Sequence, residues 1–391
     1  MKPTVLTRTV KILSFVSLLN DIASEMLYPV MPVYLKSIGF SVILIGVLEG
    51  IAEAVAGISK GYFGSLSDRI GQRLPFIKWG YLLSALSKPL LAIAKLPTFV
   101  FSARTIDRLG KGIRTGARDA MLSDEATTET KGAVFGFHRS LDSLGAVIGP
   151  LIALVYLYYA PAQYKPLFFF AFIPGILSFF LLFFIKNNKP NARVDKKAYS
   201  FWLFINYWKI SSKQYKQLSI GIILFTLFNS SDYFLLLKMK DVGLNDIYVI
   251  GIYIMYNCLY ALLSYPLGKL GDQIGLKKVF LFGLLLFALV YAGMAFNTSV
   301  YIYLLLFIIY GIYAAATDGI SKAWISNICY KSETGTAIGT MAAFQSIATM
   351  IASSTAGIIW YCCGSNMLFL LSASVSVLVF FYLVIVFRNR K

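Results

Sequence analysis

Two pairs of carboxyl groups stand four residues apart within apolar stretches of this sequence. They are Asp21 with Glu25 and Glu49 with Glu53, and residues at this spacing share one face of a helix. Two carboxyl groups on one face can exchange a proton or neutralise a cation. We predict that all four groups take part in proton coupling. The structural alternative is an ion pair with the fourth or fifth span for Asp21 and Glu25, and a position at the outer mouth for Glu49 and Glu53.

Ionisable side chains recur at helical spacing a little further along the chain. At 100° per residue they fall within an arc of about 120°; they are Arg104, Asp107, Arg108, Lys111, Arg114 and Arg118. Lipid cannot solvate such a stripe, so it must line a cavity or pair with acids. We predict that Arg104, Arg108 and Lys111 bind an anionic solute, and that Arg114 and Arg118 lie at the cytoplasmic surface.

The only histidine of the sequence, His138, lies four residues before Asp142. A carboxylate on the same helical face can orient an imidazole and adjust its proton affinity. This spacing makes both residues candidates for proton handling, and a buried structural histidine is the alternative.

The second half of the chain carries polar and aromatic groups in place of a charge stripe. The candidates for solute binding there are Asn229, Asp232, Tyr253, Tyr256, Asn257, Tyr260 and Gln345. Aromatic and hydroxyl groups suit an organic ligand. The alternative is that they join neighbouring helices by hydrogen bonds.

The composition of the chain indicates a membrane protein. Of 391 residues, 58% are hydrophobic and 14% are charged, which excludes an ordinary soluble domain and a disordered chain. Spanning helices need about 20 apolar residues each, and runs such as 167–185 lack the alternation of a β-barrel strand. We predict an all-α polytopic membrane protein with twelve transmembrane helices, the seventh at 218–238.

The basic residues indicate how the chain is oriented. The net charge is +18, and alternate loops carry most of the cations, which predicts cytoplasmic termini in a cell inner membrane without nucleic-acid binding. The longest loop, 186–217, is basic and aromatic; it predicts either a helix on anionic lipid or a solvated linker. It separates two predicted six-helix bundles, 1–185 and 218–391.

The two halves of the chain contain an internal repeat. Gly64, Asp68, Gly71 and Arg73 recur 204 residues later as Gly268, Asp272, Gly275 and Lys277, and Gly132 and Gly136 recur 203 residues later. Two segments at nearly one offset indicate duplication. A six-plus-six duplication is typical of transporters whose site lies near the membrane midplane.

The repeated segment resembles motif A of the major facilitator superfamily. The residues that carry this resemblance are Gly64, Asp68, Arg69, Gly71 and Arg73, with Gly268, Asp272 and Gly275 in the second copy. The resemblance covers the whole chain and implies two pseudo-symmetric six-helix bundles. It also implies that the motif A charges lock the cytoplasmic side during alternating access.

A second resemblance bears on the direction of transport. Gly136, Gly145, Gly149 and Pro150 are similar to motif C, which that family associates with antiporters, although Ala153 and Leu154 replace its final glycine pair. The motif C resemblance favours export. Separately, Arg104 stands near the position where the family has an arginine in its fourth span.

These observations favour a secondary active transporter that moves a small organic solute, driven by protons and acting as a monomer. We expect an anionic or polycarboxylate solute; the alternatives are broad drug/proton antiport, and a metal or cation read by Asp21, Glu25 and Glu49. A phosphate-binding loop and the common catalytic motifs are missing from the sequence. A membrane enzyme or receptor is therefore the weaker alternative, and no cofactor is expected.

Overall fold

The structure of the protein is a computed structural model. It describes residues 5–28, 30–31, 34–35, 38–40, 42–94, 96–160, 163–186, 203–230, 232–244, 246–296 and 299–388. Within these ranges the chain forms helices and no strand, in agreement with the all-α prediction.

The helices fall into two series along the chain. The first series is α1 (Arg8–Glu25), α2 (Val42–Ile70), α3 (Leu74–Ile93), α4 (Pro97–Asp124), α5 (Lys131–Tyr159), α6 (Tyr164–Leu181) and the short α7 (Leu203–Ile210). The second series is α8 (Lys213–Phe228), α9 (Asp232–Asp241), α10 (Asp246–Ile274), α11 (Leu276–Phe296), α12 (Val300–Ile328), α13 (Thr334–Cys363) and α14 (Ser365–Val386).

Six of the described helices are long and apolar enough to cross a membrane, by length and composition alone. They are Lys131–Tyr159, Tyr164–Phe184, Leu276–Phe296, Val300–Ile328, Lys331–Cys363 and Ser365–Val386. The helices α2 and α4 are also long enough, at 29 and 28 residues, but they are not among these six and they carry candidate ionisable groups.

The seventh predicted span is two helices rather than one. The structure ends α8 at Phe228 and begins α9 at Asp232, with Asn229 in an extended conformation between them. Short polar side chains compete for backbone hydrogen bonds and favour such breaks. The Tyr291 hydroxyl donates to the Ser230 carbonyl oxygen at 3.1 Å, which satisfies one group that the break exposes.

Glycines end two corresponding helices of the repeat. Gly71 follows α2 with φ 68°, and Gly275 follows α10 with φ 104°. Both values lie in the left-handed region, where a residue with a Cβ is strained. The repeated motif therefore includes a shared helix stop.

The chain divides into two compact units. The first comprises Met1–Thr127, Leu141–Ile210 and Cys329–Ala343, and the second comprises Thr128–Ser140, Ser211–Ile328 and Phe344–Lys391. Each unit includes a short segment from the opposite half of the sequence. The division at 185 and 217 stays a prediction. Residues 187–202 of the predicted linker lie outside the described residues, and 203–210 is the helix α7.

In the first unit, α3 and α4 approach each other closely. A Cβ placed on Gly80 would lie 2.7 Å from the carbonyl oxygen of Gly110, so only glycine fits this crossing. Small residues let backbones approach in this way inside a membrane. Next to it lies a buried lysine that our sequence analysis missed, Lys88, whose Nζ is 2.6 Å from the carboxylate of Asp107.

We predict that Lys88→Met destabilises the protein, because it leaves the Asp107 carboxylate with a weaker partner, Arg104, at 3.7 Å. Removing one member of a buried pair costs about 3–5 kcal/mol. Thermal unfolding in detergent should show a clear drop in Tm.

The double variant Lys88→Met/Asp107→Asn is the matched control, since it removes the uncompensated carboxylate and keeps a side-chain oxygen beside Arg104. It should recover part of the lost Tm. A double variant as unstable as the single one would show that the pair itself contributes the stability.

Candidate functional site

The second unit contains a cavity of about 270 Å³. Six helices supply its walls: α5, α8, α10, α11, α12 and α13, with Asp232 from the start of α9. Its lining is Arg139, Ile222, Phe225, Thr226, Asn229, Asp232, Tyr256, Tyr260, Phe280, Tyr310, Tyr313, Ala314, Thr317, Asp318, Ser321, Gln345 and Thr349. A volume of this order suits a small organic molecule.

Tyrosine rings form one wall of the cavity. The ring centroid of Tyr256 lies 5.0 Å from that of Tyr310 and 6.2 Å from that of Tyr260, and Tyr310 is 5.2 Å from Tyr313. Phe225 lies behind them, 6.1 Å from Tyr313. Tyrosine supplies an apolar face with a polar tip, so this wall can contact an apolar solute and still offer hydroxyl groups.

Asp232 supplies an acid to the cavity at the helix break. Its Oδ1 accepts a hydrogen bond of 2.6 Å from the Tyr310 hydroxyl. The adjacent Asn229 donates from Nδ2 to the Tyr313 hydroxyl at 3.2 Å. The break between α8 and α9 thus directs two polar side chains toward the tyrosine wall.

A second charged group in the cavity is an ion pair. Arg139 Nε lies 2.8 Å from Asp318 Oδ2, and the side chains are 30% and 36% exposed. Tyr260 bridges the pair: its hydroxyl donates to Asp318 Oδ2 at 2.7 Å and accepts from Arg139 Nε. The Arg139 guanidinium also lies 5.0 Å from the Tyr260 ring centroid, in a cation–π contact.

Most of the predicted solute-binding residues of the second half lie at this cavity. Asn229, Asp232, Tyr256, Tyr260 and Gln345 line it. Two others, Tyr253 and Asn257, are not part of the lining; Asn257 Nδ2 bonds at 3.0 Å to the carbonyl oxygen of Tyr253, on its own helix.

Sequence analysis missed the contribution of α12. Tyr310, Tyr313 and Thr317 line the cavity together with Asp318. Their spacing of three and four residues puts them on one helical face, and this was the signal available. It went unused because α12 reads as a strongly apolar span.

The cations of α4 lie in the first unit, and each described guanidinium there has a partner. Arg104 NH1 lies 3.7 Å from Asp107 Oδ2, and Arg108 NH2 lies 3.1 Å from Glu53 Oε1. Lys111 is exposed. The first unit therefore engages Arg104 and Arg108 in ion pairs, and their role in solute binding stays a prediction.

Arg114 and Arg118 are buried, contrary to the expectation that they lie at the cytoplasmic surface. Arg114 donates to Ser84 Oγ at 2.6 Å, and its guanidinium lies 4.5 Å from the Tyr81 ring centroid. Arg118 pairs with Asp119 at 2.9 Å. The partners of Arg114 lie on another helix, which the local sequence pattern does not show, while Arg118 pairs with its neighbour Asp119 and also donates to Ser17 of α1.

Two predicted proton-coupling groups meet in the first unit. Asp21 of α1 is close enough to Asp142 of α5 for a hydrogen bond between their carboxyl groups. Ser17 donates to Asp142 Oδ1 at 2.6 Å, and Arg118 donates to Ser17 Oγ at 3.3 Å. Two carboxyl groups can share a hydrogen bond only when one of them holds a proton.

The other predicted proton-coupling groups are more scattered. Glu25 lies one turn after Asp21 and interacts with it electrostatically, and Glu53 pairs with Arg108. His138 is buried in the second unit. The side chain of Glu49 lies outside the described part of the structure.

The first copy of motif A caps a helix from the other half of the sequence. Asp68 accepts backbone N–H bonds from Gly335 and Thr336, at 3.2 and 2.5 Å, at the first turn of α13. Arg73 lies 2.5 Å from the same carboxylate, and Arg69 is half-buried at the end of α2. A carboxylate is favoured at a helix N-terminus because the N–H groups there point toward it. All of these residues belong to the first unit.

The second copy repeats this arrangement in the second unit. Asp272 accepts backbone N–H bonds of 2.7 Å from both Gly132 and Ala133, at the start of α5. Gly268 touches the Gly132 backbone, so a Cβ on either would collide with the other chain segment. Burial raises the pKa of Asp272 to about 6, against the lowering effect of the two N–H donors.

The motif C glycines are sites of close helix contact. A Cβ on Gly145 would lie 2.8 Å from the Cβ of Asp21, and one on Gly149 would lie 2.7 Å from the Met26 nitrogen. These contacts join α5 to α1 within the first unit, and Pro150 follows directly inside α5. In the second unit, Gly136 meets the Ser264 carbonyl oxygen of α10.

Three comparisons with known proteins bear on the chain. An uncharacterized MFS-type transporter of Methanocaldococcus jannaschii is 33% identical over 363 residues, which is 91% of this chain and 89% of that protein. The quinolone resistance protein NorA of Staphylococcus aureus is 26% identical over 153 residues, 39% of this chain and 38% of NorA. The crystal structure of the human organic anion transporter MFSD10 superposes with a TM-score of 0.80 at 16% identity, over 96% of this chain and 99% of that one.

The family model described as Major Facilitator Superfamily matches residues 13–258 and 218–391. This match confirms the resemblance drawn from motif A, and the superposition with MFSD10 confirms the predicted fold class. The protein is therefore a multi-pass membrane protein and a transporter, not an enzyme. The chain belongs to the major facilitator superfamily.

Proposed function

We propose that the protein is a proton-coupled secondary transporter of a small organic anion, and that the tyrosine-lined cavity of the second unit is its binding site. The observation that carries this proposal is the cavity, which combines an aromatic wall with the guanidinium of Arg139 and the carboxylates of Asp232 and Asp318. An aromatic wall favours a carbon skeleton, and a guanidinium favours an anionic end.

Proton coupling is assigned to the Asp21–Asp142 carboxyl pair. The pair lies next to the close contact of α1 with α5 at Gly145. A proton shared by two carboxyl groups leaves easily when the groups separate, because each carboxylate then no longer faces the negative charge of the other. Movement of α1 against α5 during alternating access would therefore load or release one proton.

The remaining features complete the proposal. Motif C favours export, and the positive-inside distribution of Lys and Arg favours cytoplasmic termini in a cell inner membrane. We propose that a single chain is the working unit.

Transport of a metal or another cation bound by Asp21, Glu25 and Glu49 stays an alternative. Among the described residues, no group of three or more His, Cys, Asp and Glu could hold a metal ion.

A second candidate function is broad drug/proton antiport. The aromatic lining of the cavity favours it, and so does the partial likeness to NorA, a quinolone resistance protein. The two candidates differ in the solute they accept: a small anion in the first and a lipophilic cation or dye in the second.

Flux into proteoliposomes tests both candidates. We expect labelled benzenesulfonate to enter liposomes that contain the protein and to respond to an imposed pH gradient, while ethidium enters no faster than into empty liposomes. Ethidium flux without benzenesulfonate flux would favour drug antiport. Flux of neither probe would contradict the proposed binding site.

Asp21→Asn and Asp142→Asn should each weaken the response of benzenesulfonate flux to the pH gradient, because the pair can no longer exchange a proton. Exchange of labelled for unlabelled probe at equal pH should continue. Asp241→Asn, at an exposed position, is the matched control and should behave as wild type. Variants that respond to the gradient as strongly as wild type would remove these carboxyl groups from the coupling step.

Asp68→Asn should slow flux on the order of tenfold, because it weakens the charge-assisted hydrogen bonds to the start of α13. Binding of benzenesulfonate, followed by calorimetry, should change little. An equal loss of binding affinity would show that Asp68 acts at the solute site and not in the conformational change. Asp241→Asn again serves as the control.

A further inference from the structure

The Arg139–Asp318 ion pair is more exposed than two buried pairs of the first unit. Its side chains are 30% and 36% exposed and both line the cavity. The Lys88–Asp107 pair is 2% and 11% exposed, and Arg118–Asp119 is 9% and 0% exposed. A solute in the cavity can therefore reach Arg139 and Asp318, while the other two pairs are shielded by packed helices.

Charge balance limits what can bind there. Arg139 already has a carboxylate 2.8 Å away, so an added anion would leave two negative groups around one cation. An uncompensated charge in a low-dielectric site is costly. The cost disappears if Asp318 takes up a proton as the anion arrives, because the net charge of the cavity then stays the same.

The Tyr260 hydroxyl contacts both members of the ion pair and can change its hydrogen-bond partner when Asp318 takes up a proton. This hydroxyl donates to Asp318 Oδ2 and accepts from Arg139 Nε. When Asp318 is protonated, its new O–H is a donor, and the Tyr260 hydroxyl can turn to donate to the incoming anion. The cation–π contact with Tyr260 holds the Arg139 guanidinium in position.

We infer that Arg139 binds the anionic end of the solute and that Asp318 is the carboxylate which this anion displaces, so that each anion enters the cavity with one proton that protonates Asp318. This inference rests on the proposed function and adds to it a solute class, a monoanion with an aromatic or apolar body. It also adds a second proton site, separate from Asp21 and Asp142. Because the anion and this proton bind together, the inference implies symport in place of the export that motif C favours. The step is a proton transfer from solvent to Asp318 Oδ2, with no other bond made or broken.

The charged and titratable groups around Asp318 come from three helices. Arg139 faces it from α5 and Tyr260 from α10. On α12 itself, Tyr313 interacts with it electrostatically and Lys322 lies one turn further along. Asp232 lines the same cavity and bonds to Tyr310. The cavity residues from α8 and α13 are uncharged.

Calorimetry with purified full-length protein in detergent tests the inference. The probe is benzenesulfonate, which stays ionised between about pH 5 and 8, so any pH dependence belongs to the protein. Wild type should bind it more tightly as pH falls, by up to about tenfold per pH unit, and buffers of different ionisation enthalpy should report one proton taken up per probe. Benzenesulfonamide, the neutral isostere, should bind without proton uptake.

Variants separate the two roles. Asp318→Asn should bind benzenesulfonate at all pH values with no proton uptake, because the competing carboxylate is gone. Arg139→Gln should lose benzenesulfonate binding by about tenfold or more and keep benzenesulfonamide binding. Lys269→Gln and Asp241→Asn, at exposed positions, should match wild type and control for nonspecific loss of charge.

Two outcomes overturn the inference. If Asp318→Asn weakens anion binding as much as Arg139→Gln does, the pair is structural. If proton uptake persists in Asp318→Asn, the proton binds elsewhere. In both cases continued binding of benzenesulfonamide, lost in Tyr256→Ala, would leave the proposed binding site intact. If neither probe binds wild type, the binding site and the inference fail together.

Discussion

Each ionised side chain inside a membrane needs a partner, because neither lipid nor packed helices can replace water around an isolated charge. The first unit meets this constraint with shielded ion pairs: Lys88 with Asp107, which joins two helices, and Arg118 with Asp119, which are neighbours on α4. The second unit meets it at the edge of an open cavity, with Arg139 and Asp318. The same requirement thus holds helices together in one unit and leaves a pair within reach of a solute in the other.

This difference explains why one chain can contain both rigid and responsive charges. Loss of one member of a shielded pair leaves the other buried and uncompensated, so such a pair is fixed throughout a transport cycle. A half-exposed pair can exchange one partner for a solute group at little net cost. The carboxyl pair of Asp21 and Asp142 is a third case, since the proposed coupling requires the two groups to share one proton.

The sequence alone predicts the fold and the repeated motifs well, since apolar length and the offset of 204 residues do not depend on three-dimensional detail. It also identifies Tyr256, Tyr260 and Asp232, whose residue types are unusual for a span. It does not identify which charges meet. Lys88 and Asp107 lie on different helices, and Asp318 finds its partner on α5, so these pairs depend on helix rotation and packing that a local pattern does not contain. For the same reason Arg114 and Arg118 were expected at the surface, while Ser84 and Tyr81 of α3 contact Arg114 and Ser17 of α1 contacts Arg118 inside the first unit.

Asp68 and Asp272 each bind the peptide nitrogens at the start of a helix from the opposite half of the sequence. Peptide nitrogens are present whatever side chains surround them, so a hydrogen bond from a backbone N–H to a carboxylate depends little on the sequence of the helix that donates it. After an ancestral gene doubled, the two copies could accumulate different residues along α5 and α13 without losing either contact, provided that a small residue remained at the crossing. One half could therefore become rich in charged residues and the other rich in tyrosine while both backbone contacts stayed the same.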